Sequence, residues 1–520
     1  MKSRTGGFAL FSRKPVIIYL AFAFLMLAFC LMQAGVQSFW LDELSLLGTI
    51  TKDKGLVDIL MQYLRVDVTN LPLFPLAAAL WYRLFPASDR IMLLLPSLAA
   101  AAGCVFSALA AEELFGKRAG VFTAALYAFS GSIITGCAME FRAYAFMVFN
   151  VSLLLFVFFR RGLFLAGGLS AKARFGREFL FTVSLVLLLF THYMGAVFVL
   201  FLGIAELVFV LSRKEKARSL IPYFISGALF SAWFILMFMN KEKSIGSFWP
   251  DKPTLPMLAR MVRFLLSGRE SLFILLLFAV FLIVFRLFSA FASGRPFGKA
   301  LSGALILLWC SGGTVGLVFI YSAVINPAGG FFVNRYFFVI LPALFILMGL
   351  GLKEGTDILS GGNRERALEL AFVATAFIVC YLGLINYRGV REETGVSYEP
   401  FREAAQYLRE TGGEELHAPG SAVVCSVNPR ATAGFTEYYL RNGGRDTEIK
   451  SVSLQGEAPV SDLENCDTLF LVTVHRDLSD LPEEIRKYIS DNFSGEVWNE
   501  DVCAGVLRRE PQKARRKGEP

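Results

Sequence analysis

Hydrophobic positions in this chain fall mostly in continuous runs of roughly 17–25 residues, the length that crosses a bilayer core as a helix. The runs centre on 15–34, 91–112, 119–137, 143–159, 178–191, 193–211, 220–239, 271–291, 301–325, 335–352 and 368–388, and so predict eleven spans. A further stretch, "NLPLFPLAAALWYRLFP" (70–86), is apolar but short. Pro72 and Pro75 each remove a helix hydrogen bond that lipid cannot replace, so this stretch is read as lying on or dipping into the membrane face. The first run follows a basic start (Lys2, Arg4, Arg13, Lys14), but no small-residue cleavage site comes after it, and it is read as a retained helix.

Beyond residue 388 the pattern changes. Charged and polar residues become frequent, and helix (399–411), strand (421–426), helix (432–442), strand (467–474), helix (482–492) and strand (502–508) alternate as in a small α/β layer. The expected fold is therefore a polytopic α-helical membrane protein of about eleven transmembrane helices with a C-terminal soluble α/β domain. The expected division is 1–388, holding a long 40–90 loop with interfacial helices, then 389–510, then a basic disordered tail, 511–520.

Charge orients these spans. With the N-terminus cytoplasmic and 70–86 not crossing, the basic loops at Lys117 and Arg118, 160–177, 213–218, 286–299 and 353–366 all lie inside, as the positive-inside rule requires. The 40–90 loop and the C-terminal domain then lie outside the cytoplasm. The formal charge of +8 belongs to these loops, and no nucleic-acid partner is expected.

Motifs narrow the chemistry mainly by their absence. The sequence has no G-x-x-x-x-G-K-[ST] phosphate loop, no H-E-x-x-H, no G-x-S-x-G, and no D-x-D of the kind that holds a metal and a nucleotide-sugar. Three scattered histidines (His192, His417, His475) argue against a histidine-rich metal site. Of the eight cysteines, Cys425, Cys466 and Cys503 fall in the external domain, where one disulfide would leave an odd thiol.

Polar residues at the outer ends of the spans remain. Asp42 and Glu43 follow the first span, Glu140, Arg142 and Tyr144 ("AMEFRAYAF") separate the third and fourth, His192 and Tyr193 the fifth and sixth, and Asn334, Arg335 and Tyr336 open the tenth. Charges at membrane boundaries are costly unless paired or solvated, so their recurrence on one side suggests a common polar cavity. Each also has a plainer reading. Asp42 reads equally as the N-cap of an interfacial helix, Glu140 and Arg142 as an ion pair, Arg335 as a snorkelling anchor and His192 as a satisfied interfacial histidine. Glu206, inside the sixth span, fits a structural or a functional role. Consecutive helical residues diverge by about 100°, so Asp42 and Glu43 cannot both face one atom, and Asp42 is taken as the cavity-facing acid.

Taken in order, W-L-D-E (40–43), the proline-containing half-segment, "LFGKRAG" (114–120), A-x-E-x-R-x-Y (138–144), T-H-Y (191–193) and N-R-Y-x-x-x-x-L-P (334–342) resemble the bacterial membrane glycosyltransferases of the GT-C superfamily. The resemblance is to the protein O-mannosyltransferase branch that includes the lipid A aminoarabinose transferases, and it runs through nearly all of 1–388. It implies an inverting transferase that moves a sugar from a polyprenyl-phosphate donor to a hydroxyl of a lipid, glycan or protein at the external membrane face. Asp42 would be the general base with Glu43 supporting it, Glu140 the second carboxylate, and Arg335 the donor-phosphate cation, with Arg142 and Tyr336 beside it. Tyr144, His192, Tyr193 and Asn70 would line the substrate path. Asn70 stands where the family often has a histidine, a departure from the family's pattern. The resemblance fixes no cofactor, since branches of the superfamily differ on a divalent metal; such a metal would fall to Asp42, Glu43 and Glu140. The external loop 241–270, with "FWP" (248–250) and the amphipathic helix 255–268, would cover such a site or bind a lipid headgroup. Two other readings fit less of the pattern: a polysaccharide ligase or polymerase leaves the early Asp-Glu pair unexplained, and a secondary transporter should show repeat halves and midplane polar residues.

Overall fold

The computed structural model describes residues 15–36, 38–51, 54–65, 70–161, 171–213, 217–240, 252–294, 297–325, 331–393, 399–441, 449–454, 460–474, 483–498 and 502–510. The 511–520 tail, "FWP" (248–250) and His475 lie outside them. The chain forms two compact units, one of residues 1–33, 60–74 and 93–390, the other of 34–59, 75–92 and 391–520.

The first unit is helical. Among the described residues eight helices are long and apolar enough to cross a membrane, and the pair Lys117–Ala128 and Gly131–Ala138, bent by 59°, passes the same test only when its two halves are taken together. Tyr144–Arg160 is apolar but shorter, and Ala171–Leu189 opens on Lys172, Arg174, Arg177 and Glu178. All eleven apolar runs are thus helical, while fewer than eleven reach spanning length and composition. The half-segment forms a helix over Leu73–Leu84, whose 12 residues reach about 18 Å, too short for a crossing.

Helices of this unit sort by burial. Asn334–Leu359 is the most enclosed span, and where it meets its neighbours the side chains are small: a Cβ on Gly349 would lie 2.8 Å from the Ala119 carbonyl oxygen. Glycine there lets the backbones approach closely. Glu270–Ala292 and Arg364–Glu393 expose Phe281, Phe285, Phe288 and Phe377, faces suited to lipid. Glu206, fully buried, meets the buried Arg161 at 2.9 Å, and Arg161 also pairs with Glu178 at 2.6 Å. That network satisfies Glu206 by charge pairing and is a structural account of it.

The second unit is a five-stranded sheet with helices. Its strands are β1 (Ser421–Cys425), β2 (Ser451–Ser453), β3 (Thr468–Val474), β4 (Phe493–Trp498) and β5 (Val502–Arg509). They run in the order β2-β1-β3-β5-β4, with β1 parallel to β2 and β3, and β5 antiparallel to β3 and β4. Val424 pairs with Leu471, and Val472 with Ala504. β1 is apolar except at Ser421 and buried throughout, as a central parallel strand must be. Two strands escaped the sequence reading: three-residue β2, and β4, an edge strand that follows helix Glu483–Asn492 without a turn. Among the described residues no disulfide joins Cys425, Cys466 and Cys503.

Candidate functional site

In the helical unit, the polar residues at the span ends gather at breaks in helices. The Lys117–Ala128 helix ends at Phe129, the chain bends, and Ile134–Ala138 forms a wide π turn before the tight turn in which the Arg142 amide donates to the Glu140 carbonyl (2.8 Å). Tyr144 then opens the next helix. Opposite, Asn334–Ile340 winds as a 3₁₀ helix, carrying Arg335 and Tyr336. The two breaks meet at Gly136, where a Cβ would lie 2.6 Å from the Phe338 ring.

Tyr144 is the hub of the cluster. The Arg142 guanidinium lies 5.0 Å from its ring centroid, the His192 ring 5.9 Å and the Phe338 ring 5.6 Å, while His192 meets Tyr336 at 5.1 Å. Tyr144 also feels the charges of Arg142, Arg335 and Glu140. Its side chain is 2% exposed, and its hydroxyl has no hydrogen-bond partner among the described residues. A desolvated, unsatisfied phenol is costly, and such groups mark places where a ligand's polar atom belongs.

His192 is fixed in the same cluster. Its Nδ1 accepts from the Met194 amide (3.2 Å), which puts the neutral ring's proton on Nε2. Burial, then the nearby Arg142 charge, lower its pKa to about 3, so it is a neutral donor at ordinary pH. Tyr193 points its hydroxyl at the Met237 sulfur (3.2 Å). Asn70 is exposed ahead of the Leu73–Leu84 helix, whose first amide, Leu73, donates to the Phe190 carbonyl (3.1 Å). The expected amphipathic helix forms over Leu255–Leu265. It is tied to the bent span through Ser132, whose hydroxyl donates to the Phe264 carbonyl (2.8 Å) and whose amide donates to Ser267 (2.9 Å). Phe264 stacks on Phe338 at 5.6 Å.

Asp42 and Glu43 belong to the second unit, on the helix Leu41–Thr49. Its N-cap is Trp40, so Asp42 is not the cap. That work falls to Glu43: its carboxylate accepts from the Trp40 amide (3.1 Å), and the side chain is 3% exposed. Glu43 therefore folds back onto its own helix start, as the third residue of a capping box does, and Asp42 is the half-buried acid of the pair. Around this helix lie residues the sequence reading did not single out. The Leu41 amide donates to Glu399 (2.7 Å), the Phe39 amide to the Tyr439 hydroxyl (2.7 Å), and the Ser38 hydroxyl to the Glu399 carbonyl (2.7 Å). Asp89 accepts from Tyr438 (3.0 Å), Tyr439 (3.4 Å) and Arg402 (3.2 Å). Burial, then Asp89, hold both phenols well above the usual tyrosine range, so each stays protonated and donates. Partners hundreds of residues away leave no local signal; only Asp89 carried a hint, as an acid at the edge of an apolar run.

No group of three or more His, Cys, Asp or Glu side chains converges as a metal cradle among the described residues.

No family model and no curated protein matches the sequence. Solved structures do match the fold. ArnT from Cupriavidus metallidurans bound to undecaprenyl phosphate is 14% identical, over 98% of this chain and 100% of that one, with a TM-score of 0.57. The same protein in the apo state is 15% identical, over 96% and 99%, with a TM-score of 0.58. The chain has the GT-C fold. An Archaeoglobus fulgidus oligosaccharyltransferase tethered to an acceptor peptide is 11% identical over 97% of this chain and 76% of its own, with a TM-score of 0.53. At these identities the likeness is one of architecture, and it covers both the helical body and the C-terminal sheet.

Proposed function

We propose that this GT-C chain is a membrane glycosyltransferase that takes a sugar from a polyprenyl-phosphate donor and gives it, with inversion, to a hydroxyl of a lipid, glycan or protein on the external side of a bacterial plasma membrane. The observation that carries this reading is the cluster around Tyr144: two arginines, two tyrosines and a neutral histidine, with one buried hydroxyl left unsatisfied. Its chemistry suits a phosphate. A sugar phosphate is already a good leaving group, so the main need is to stabilise charge on its departing oxygens, which permanently charged guanidinium groups do. Arg335 and Arg142 take that role, with the Tyr144 and Tyr336 hydroxyls and the His192 Nε2–H as further donors. The half-buried Asp42 takes the proton of the attacking acceptor hydroxyl, worth roughly 10²–10⁴-fold in rate. Glu43 fixes the start of the helix that carries it. The prenyl chain would stay in lipid along the exposed apolar helix faces. Glu140, whose charge also reaches Tyr144, serves as the second carboxylate of the site.

The test is transfer of radiolabelled sugar from membrane lipids in cells carrying expression-matched wild type, Asp42→Asn or Arg335→Ala. Asp42→Asn should lower transfer by about two orders of magnitude or more while the purified protein still binds undecaprenyl phosphate; Arg335→Ala should lose both. Unchanged transfer in Asp42→Asn would remove the general base from this scheme.

A further inference from the structure

We propose that the C-terminal α/β domain acts in transfer by holding the Asp42-bearing helix in place, with Glu399, Tyr439 and Gly434 as positioning residues. This rests on the reading of Asp42 as the base. Most of the holding is directed at the backbone. Before the helix, the Phe39 amide is held by Tyr439; at its first residue, the Leu41 amide is held by Glu399. In mid-helix, the Ser45 hydroxyl receives a bond from the Asn428 side chain (3.3 Å).

Contact is closest between Leu41–Thr49 and Pro429–Gly434. A Cβ on Gly48 would lie 2.0 Å from the Arg430 carbonyl oxygen, and one on Gly434 would lie 1.9 Å from that of Leu44. Both glycines are therefore required by backbone-to-backbone packing, in which any side chain forces the helices apart. This locks the acid helix along its axis as well as across it.

The place of contact in the sheet is informative. β1 is the first strand, with β2 on one side and β3 on the other, so the strand order reverses at β1. Open α/β sheets present ligands at the carboxyl ends of the strands beside such a reversal. Asn428, three residues past the end of β1, caps the next helix by accepting from the Ala431 amide (2.9 Å) and with its other side-chain atom reaches Ser45. The loop that would carry a ligand in a free-standing domain of this kind carries the acid helix here.

Four variants of the full-length protein test the role, each read by label transfer from membrane lipids and by thermal shift of the purified protein with undecaprenyl phosphate. Displacing a catalytic group by about 1 Å costs up to roughly a hundredfold, so Gly434→Ala, Tyr439→Phe and Glu399→Ala should each lower transfer at least about tenfold with binding within about twofold of wild type. Glu399→Gln, whose amide oxygen can still accept from Leu41, should keep most of the transfer. Wild-type transfer in both Gly434→Ala and Glu399→Ala overturns the proposal, as does parallel loss of transfer and binding in all three. A cysteine pair, Ser45→Cys with Asn428→Cys, separates this proposal from the base assignment. The disulfide, mapped by peptide mass spectrometry, should form readily in the wild-type background and poorly with Glu399→Ala; equal yields or none in either overturn the holding. Full transfer by Asp42→Asn, with the crosslink behaving as expected, fails the base assignment alone.

Discussion

The cluster around Tyr144 and the helix bearing Asp42 are built on opposite principles. At Tyr144 the helices break, and side chains meet side chains: rings edge against rings, guanidinium groups lie beside them, and a buried hydroxyl goes unsatisfied. At Asp42 the contacts run to main-chain atoms, through Glu399, Tyr439 and two glycines. Side-chain contacts can rearrange around a bulky, variable guest, whereas backbone bonds fix one geometry. A lipid-linked phosphate suits the first arrangement, and a proton acceptor, whose reach is set to within a fraction of an ångström, suits the second.

The contrast is most open to attack at the glycines. A Cβ on Gly434 meets a carbonyl oxygen at 1.9 Å, and the clash has no side chain to turn aside; a Cβ on Gly136 meets the far end of the Phe338 ring at 2.6 Å. Gly434→Ala should therefore cost more than Gly136→Ala, about 3 kcal/mol against about 1 kcal/mol within the range for overpacking. Chemical denaturation of the purified protein in detergent measures both. Equal costs would mean that the two contacts are of one kind.

These regions also differed in how far the sequence disclosed them. Apolar run length placed the helical body, and Glu140, Arg142, Tyr144, His192 and Arg335 stood out because charge at a span's end needs a reason. The burden on Glu43 was legible only in outline: the carboxylate pair announced two roles, while the capping contact to Trp40 depends on where the helix begins. Composition marked a soluble domain beginning near 389, yet nothing in residues 34–59 and 75–92 announces that they pack with it, because pairings such as Phe39 with Tyr439 and Asp89 with Tyr438 link positions about 400 and 349 apart. Gly48 and Gly434 look like any other glycine until both helices are placed. Periodicity reports what one segment buries and not what buries it.

Acid should weaken the Tyr144 cluster through His192. His192 has a folded pKa of about 3 against an ordinary 6.5, so below pH 6.5 the unfolded chain takes up a proton that the folded chain refuses. Proton uptake by the unfolded state lowers stability as pH falls, and the loss continues until about pH 3. The thermal midpoint should thus drop between pH 7 and pH 4, and His192→Gln should drop less over the same interval. If both fall in parallel, His192 is not the group that carries this pH dependence.

The smallest expected change separates shape from chemistry within the cluster. Tyr144→Phe keeps the ring contacts to His192, Phe338 and Arg142 and deletes only the hydroxyl that lacks a partner. Deleting a buried polar group that makes no bond removes a desolvation cost, so stability should hold or rise by up to about 1 kcal/mol. Should the hydroxyl be there to meet the donor phosphate, affinity for undecaprenyl phosphate falls at the same time by about the strength of one hydrogen bond to a charged group, roughly tenfold. Stability and affinity then move in opposite directions, which packing alone cannot produce. Unchanged affinity would assign the phenol to shape and leave phosphate recognition to the arginines.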